Sequence, residues 1–244
     1  MPDGYDLRAF DHLDSTNTQC HRIVEEGTAG NIWVMADRQS AGRGRRGREW
    51  VSRSGNLFAS LLYAIDCDPC TASQLSFVAA LAVRDMVADI LQSADGVHCK
   101  WPNDILVGGR KISGILLETA GPGGEIPSHV IIGIGVNLRH FPDDVQYPAT
   151  SLREQTGRDY SNDFVMERLA RSMDYWILRW KDHGFPLIRK AWKDNARGLG
   201  QEIIVRLSGE ELRGRFVDLD ETGALILAVG DERRHITAGD VFFP

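Results

Sequence analysis

A chain of 244 residues can bury one sizeable core, or a main domain with a small companion. Apolar residues make up 43% and charged residues 25%, the balance of a soluble globular enzyme, and no apolar run reaches the length of a membrane span. A net charge of −6 argues against a protein whose whole surface binds nucleic acid, and Met1-Pro2-Asp3-Gly4-Tyr5-Asp6 lacks the pattern of a secretory signal, so a cytoplasmic setting is expected.

The first element is a helix. Asp14-Ser15-Thr16-Asn17 supplies capping residues, and the helix should run to about Glu26 and stop at Gly27. A strand is predicted over 31–36, then a glycine- and arginine-rich loop over 39–48, then a strand over 56–64. Leu75, Val78, Ala79, Ala82, Val83, Met86, Val87 and Ile90 recur at helical spacing within 72–91, which reads as a core-packing helix. Strands follow at 97–101, 104–107 and 111–118, the last two joined by the hairpin signal Gly108-Gly109-Arg110. Residues 129–138 form a buried-type strand, and Pro127, Pro142 and Pro148 fall in connections. Helices are expected over 162–182, stopped by Gly184, and over 187–196.

After Gly198 short strands at 202–207, 211–218, 224–229 and 234–237 alternate with turn residues, which suggests a small β-barrel of about 45 residues. The fold class is therefore α+β, a mixed sheet with helices on one side over 1–197, followed by an all-β module over 198–244.

Four strings could carry chemistry. Gly42-Arg43-Gly44-Arg45-Arg46-Gly47-Arg48-Glu49-Trp50 contains G-x-G-x-x-G, but no apolar-periodic helix follows it, so the dinucleotide reading fails. A flexible loop with four arginines remains, able to close on phosphates or carboxylates, to line a nucleic-acid patch, or simply to sit in water. Lys100-Trp101-Pro102-Asn103-Asp104 places a carboxylate at a turn, where it could hold Mg²⁺, orient a nucleotide or only cap. Lys111 begins an apolar strand that Gly114 interrupts, a setting for neutralising developing negative charge, though a solvated hairpin lysine fits the same pattern. Gly133-Ile134-Gly135-Val136-Asn137 fits a sheet floor under a flat ligand, or a kinked strand. Cys67-Asp68-Pro69-Cys70 lacks a second ligand pair for zinc and reads as two loop thiols.

Together, and in this order, these strings resemble the biotin protein ligase family. The matches are Asp14 to Asn17, Gln39 to Trp50, Lys100 to Asp104, Arg110 to Glu118 and Gly133 to Asn137. They run from about residue 10 to the C-terminus, where the β module is similar to the family's SH3-like one. Ser40 and Ile112-Ser113 depart from a common form of the motif that has glutamine and Leu-Ala. The capping motif falls within the first twenty residues, so the resemblance is to the monofunctional type, without an N-terminal DNA-binding domain.

The resemblance implies a two-step reaction. Biotin's carboxylate attacks the α-phosphate of ATP to give biotinyl-5′-AMP, and a lysine of a biotin carboxyl carrier protein then displaces AMP. It implies catalytic roles for Lys111, Arg43 and Arg45. Biotin binding falls to Ser15, Thr16, Gln39, Gly42, Arg43, Lys111 and Gly114. Nucleotide binding falls to Arg43, Arg45, Arg46, Trp50, Asn103, Asp104, Lys111 and Asn137, with Asp104 as a Mg²⁺-linked carboxylate. ATP and Mg²⁺ act as co-substrate and metal, with no tightly bound cofactor. The usual carrier is that of acetyl-CoA carboxylase; neither DNA nor a membrane is an expected partner, and a homodimer is compatible with the sequence. The rival readings are a lipoate or octanoate ligase of the same fold, a nucleic-acid-binding module using the arginine loop, and a silent biotin-binding relative.

Overall fold

The computed structural model of the protein describes residues 1–28, 30–121, 128–142 and 147–244; the connecting Pro127 lies outside them. The main sheet contains β1 (Tyr5–Leu13), β2 (Asn31–Gln39), β3 (Leu57–Ala64), β4 (Val97–Lys100), β5 (Asp104–Val107), β6 (Arg110–Ala120) and β7 (His129–Val136). Its spatial order is β1-β2-β3-β7-β6-β5-β4, with β1 parallel to β2 and the other neighbours antiparallel.

Strand alternation sends successive side chains to opposite faces. Trp33, Met35, Leu57, Ala59 and Leu61 join the core that includes α3 (Leu75–Leu91) and α5 (Asn162–Asp194). Ile32, Val34 and Leu62 instead join Cys20 and Ile23 of α1 (Thr16–Glu25). The long helices thus lie on one side, as expected, and the short α1 covers part of the other. Ser15 caps α1, its hydroxyl accepting from the Thr18 N–H. Gly184 breaks α5 with φ 69°, which yields the two helical segments read from the sequence.

α2 (Pro69–Ser73) is capped by Asp68, which accepts from the Cys70 and Thr71 N–H groups. Both nearby thiols are free, and burial with Asp68 and Asp66 raises the Cys67 pKa, the opposite of an activated redox thiol. The elements that escaped the sequence reading include β1, α2, α4 (Leu152–Thr156) and the last strand, β12 (Asp240–Phe242).

The second sheet is antiparallel and ordered β11-β10-β9-β8-β12, from β8 (Glu202–Arg206), β9 (Glu211–Leu219), β10 (Leu225–Val229), β11 (Glu232–Ile236) and β12. Among the described residues no ladder joins β11 to β12, so the expected barrel is an open sheet. The exposed Glu232, Arg233 and Arg234 keep the β11 edge in water. The inner face, Val205, Phe216, Leu225 and Leu227 included, belongs to the same apolar cluster as the main core. Gly223 fits this junction because a Cβ there would come within 2.6 Å of the Phe77 ring, and its carbonyl accepts from the Trp101 indole N–H at 3.1 Å. Among the described residues no helix is long and apolar enough to cross a membrane.

Asp220 organises the β9–β10 turn, accepting from the Thr222 N–H, the Thr222 hydroxyl and the Ala224 N–H and contacting His235 Nδ1 at 2.9 Å. Partial burial alone would raise its pKa, but the bonds from His235, Thr222 and Ala224 outweigh it and lower the value from 3.8 to about 2. A depressed carboxylate stabilises the fold fully above the unfolded value. That contribution is lost as pH falls from about 4 towards 2. Asp220→Asn should therefore flatten the acid limb of the melting temperature across that window; a limb as steep as in the unmodified chain would contradict this.

Candidate active site

One cavity of about 280 Å³ collects most of the strings singled out from the sequence. Its floor is the middle of β6 and β7, its cover is the 42–50 loop, and β12 closes one end. Gly114 pairs with Gly135 across the two strands. The flat group over these glycines is the protein's own Trp50: a Cβ on Gly135 would come within 2.5 Å of the indole, and one on Gly114 within 2.9 Å. A side chain at either position would push the loop off the sheet.

At one end, Ser15, Thr16 and Gln39 border the cavity. The Thr16 N–H donates to Gln39 Oε1 at 2.8 Å, and the Gln39 amide donates to Ser52 Oγ at 2.9 Å. Ser60, Asn17 and Glu118 form the layer behind them. The start of α1 thus presents its first-turn polar groups to a pocket walled by apolar strand residues, an arrangement suited to a small neutral polar head.

At the other end lie Lys100, Asp104 and Lys111. Asp104 is 8% exposed and meets two ammonium groups: its Oδ1 forms an ion pair with Lys111 at 2.6 Å, and its Oδ2 accepts from Lys100 at 3.2 Å. Burial alone would raise the Asp104 pKa, but Lys111 and then Lys100 outweigh it and hold it below its ordinary value. Burial lowers the Lys100 pKa, partly offset by Asp104, and its ammonium sits 3.9 Å from the centre of the Tyr147 ring. Two ammonium groups on one carboxylate leave a net positive charge beside the cavity, an electrostatic seat for an anion.

The loop arginines divide their work. Arg43 reaches Glu118 at 3.1 Å on the head side. Arg45, its pKa lowered by burial, donates to Asn103 Oδ1 at 3.2 Å and to the Gly239 carbonyl at 3.4 Å. Arg46 and Arg48 pair with Asp240. The C-terminal sheet therefore holds the loop from outside, which the sequence did not indicate.

Of the predicted site residues, Ser15, Thr16, Gln39, Arg43, Arg45, Trp50, Asn103, Asp104, Lys111, Gly114 and Asn137 line the cavity. Gly42 and Arg46 are not among its lining residues. Gly42 is packed at the base of the loop, where its carbonyl accepts from Trp50 and a Cβ would strike Ser52 and Trp50. Arg46, at φ 57°, turns to Asp240. The Asn137 amide donates to the Thr150 carbonyl at 3.0 Å, which leaves its oxygen for other partners.

Asp104 does not fit the expected role of magnesium ligand. Both its oxygens face ammonium groups, and a divalent cation there would be repelled by both. Among the described residues no group of three or more His, Cys, Asp or Glu could hold a metal.

The sequence pattern of the Biotin/lipoate A/B protein ligase family matches residues 9–137, and that of the Biotin protein ligase C terminal domain matches residues 198–243. The biotin–[acetyl-CoA-carboxylase] ligase of Paracoccus denitrificans is 40% identical, over 94% of this chain and 97% of its own. The bifunctional ligase/repressor of Bacillus subtilis is 32% identical, over 98% of this chain and 74% of its own. The biotin protein ligase of Aquifex aeolicus, solved in complex with biotin and ATP, superposes with a TM-score of 0.81 at 28% identity and 97% coverage of both chains. On these matches the chain belongs to the biotin protein ligases of the biotin/lipoate A/B protein ligase family.

Proposed function

We propose that the chain is an ATP-dependent ligase that forms biotinyl-5′-AMP from biotin and ATP and transfers biotin to a lysine of a biotin carboxyl carrier protein. The observation that carries this is the joining, in one cavity, of a polar head pocket at Ser15, Thr16 and Gln39 to a cationic end at Lys111. The names of the Paracoccus ligase and of the Aquifex complex support the same substrates.

In the first step a biotin carboxylate oxygen bonds to the α-phosphorus and the bond to pyrophosphate breaks. In the second, the carrier amine bonds to the acyl carbon, gives up a proton and expels AMP. Lys111 faces the charge that builds on the α-phosphate oxygens, with Asp104 fixing the ammonium. Arg43 and Arg45 hold the loop across the acyl-phosphate and keep water from the mixed anhydride. Asn103 and Asn137 border the nucleotide side, and Trp50 packs near the adenylate. The natural carrier is that of acetyl-CoA carboxylase, and the setting is the cytoplasm.

Octanoate is the rival substrate. A methyl-ended chain would leave the head-pocket polar groups without partners, at a cost of about 1–3 kcal/mol for each unmet group. Purified protein with Mg-ATP, a carrier domain and equal biotin and octanoate should yield the biotinylated carrier; octanoylated product would overturn the assignment.

Asp104→Asn separates a positioning role from a metal role. Lys111 would lose its charge-assisted partner, and adenylate formation should slow by about tenfold or more. The Mg²⁺ concentration giving half-maximal rate should not change. A rise in that concentration would return Asp104 to the metal.

A further inference from the structure

A hydrogen-bonded chain behind the head pocket constrains where its protons go, and its anchor is Glu118. We infer that Glu118, acting through Asn17 and Ser60, is a positioning residue that makes the Thr16 hydroxyl an acceptor towards the cavity and so selects a ligand bearing a ureido N–H. This deepens the biotin reading above and rests on it.

A carboxylate at neutral pH can only accept, so the Asn17 group 2.7 Å from Glu118 is the Nδ2 donor. That fixes the amide, and Asn17 Oδ1, an obligate acceptor, lies 2.6 Å from Ser60 Oγ. The single Ser60 proton therefore goes to Asn17. The Ser60 and Thr16 hydroxyl oxygens lie 2.7 Å apart, so the Thr16 proton goes to Ser60. The other acceptor of that proton, Gln39 Oε1, is farther at 3.1 Å and already takes the Thr16 N–H. A proton given to Ser60, which does not border the cavity, leaves the Thr16 lone pairs to face it.

The surroundings keep this order in place. Ser60 is fully buried, and Asn17 and Thr16 are each 4% exposed, so the middle of the chain lies out of bulk water. A Cβ on Gly133 would collide with the Asn17 amide, so the glycine makes room for it. Gln39 is fixed from its other side: its Nε2 donates to Ser52 Oγ, whose proton goes to the Trp50 carbonyl, an obligate acceptor. Arg43 donates to both oxygens of Glu118, which ties the loop to the same anchor.

The test compares binding of biotin with its two cyclic carbamate analogues, each with one ureido N–H replaced by oxygen, by titration calorimetry on the full chain. One analogue should bind about 10–100-fold more weakly than biotin, because two acceptors then face each other at Thr16. In Glu118→Gln the amide of Asn17 can turn over, the Thr16 proton can face the cavity, and that ratio should shrink by about tenfold. Glu118→Ala, which removes the anchor without adding a donor, should relax the ratio in the same way. The exchange Asn17→Asp with Glu118→Gln restores a one-way chain, now anchored at position 17, and should restore the ratio. A ratio unchanged in both single variants, or not restored by the exchange, would overturn the inference while leaving biotin as the ligand. No biotin binding by the unmodified chain would overturn the reading beneath it as well.

Discussion

Lys111→Ala is expected to slow adenylate formation by about 10²–10³-fold, the usual loss when one fixed donor to developing charge is removed. The lysine is the second residue of β6, just after the hairpin turn, and its N–H and carbonyl pair with Pro148 and Thr150, so the backbone is held from both sides. Its side chain runs back over Gly114: a Cβ there would lie 3.2 Å from Nζ. With Asp104 on its far side at 2.6 Å, the ammonium has little freedom, and the cost of orienting it is met on folding. The fold should survive the substitution, because Asp104 keeps Lys100 at 3.2 Å and no buried carboxylate is left unpaired. Pyrophosphate release in a single turnover measures the step. Near-normal release with an unchanged melting temperature would remove Lys111 from its assigned role.

Arg45→Ala is expected to let biotinyl-5′-AMP escape about 10–100-fold faster, the equivalent of one or two charge-assisted bonds. Arg45 spans the cavity mouth from the loop to Asn103 and to the Gly239 carbonyl of the C-terminal sheet. Arg46 and Arg48 add ion pairs to Asp240, but these are exposed and contribute less. Losing Arg45 therefore opens the loop on the side where the nucleotide is proposed to lie. The dissociation rate of labelled adenylate reports this directly; an unchanged rate would mean that the loop is not the gate.

What the sequence made legible was local. The Ser15 cap, the arginine loop, the Gly108-Gly109 hairpin and the glycines of β6 and β7 each have short-range signatures, and each stands where those signatures put it. Elements whose residues face water on both sides were not legible. β1 is an edge strand with no fully buried residue, so it lacks the alternation that marks a half-buried strand. β12 is three residues long, and its pairing with β8 is a matter of topology. The head-pocket layer was partly in view: Asn17 and Glu118 stand in strings that carried the family resemblance, but they are 101 residues apart, and only the fold shows the bond between them. The surroundings of Asp104 were hidden for a similar reason: only the fold shows two lysines, one four residues before it and one across the hairpin, at its two oxygens. Asp240 could not be read at all, because its part depends on how the C-terminal sheet meets the loop.

The most direct test is a crystal structure of the chain with biotinyl-5′-AMP or a non-hydrolysable analogue. The ureido ring should lie among Ser15, Thr16 and Gln39, and the acyl-phosphate junction within hydrogen-bonding reach of Lys111 Nζ beneath residues 42–50. A ligand seated anywhere else, or one whose phosphate lies out of reach of that amine, would contradict the whole assignment of this site.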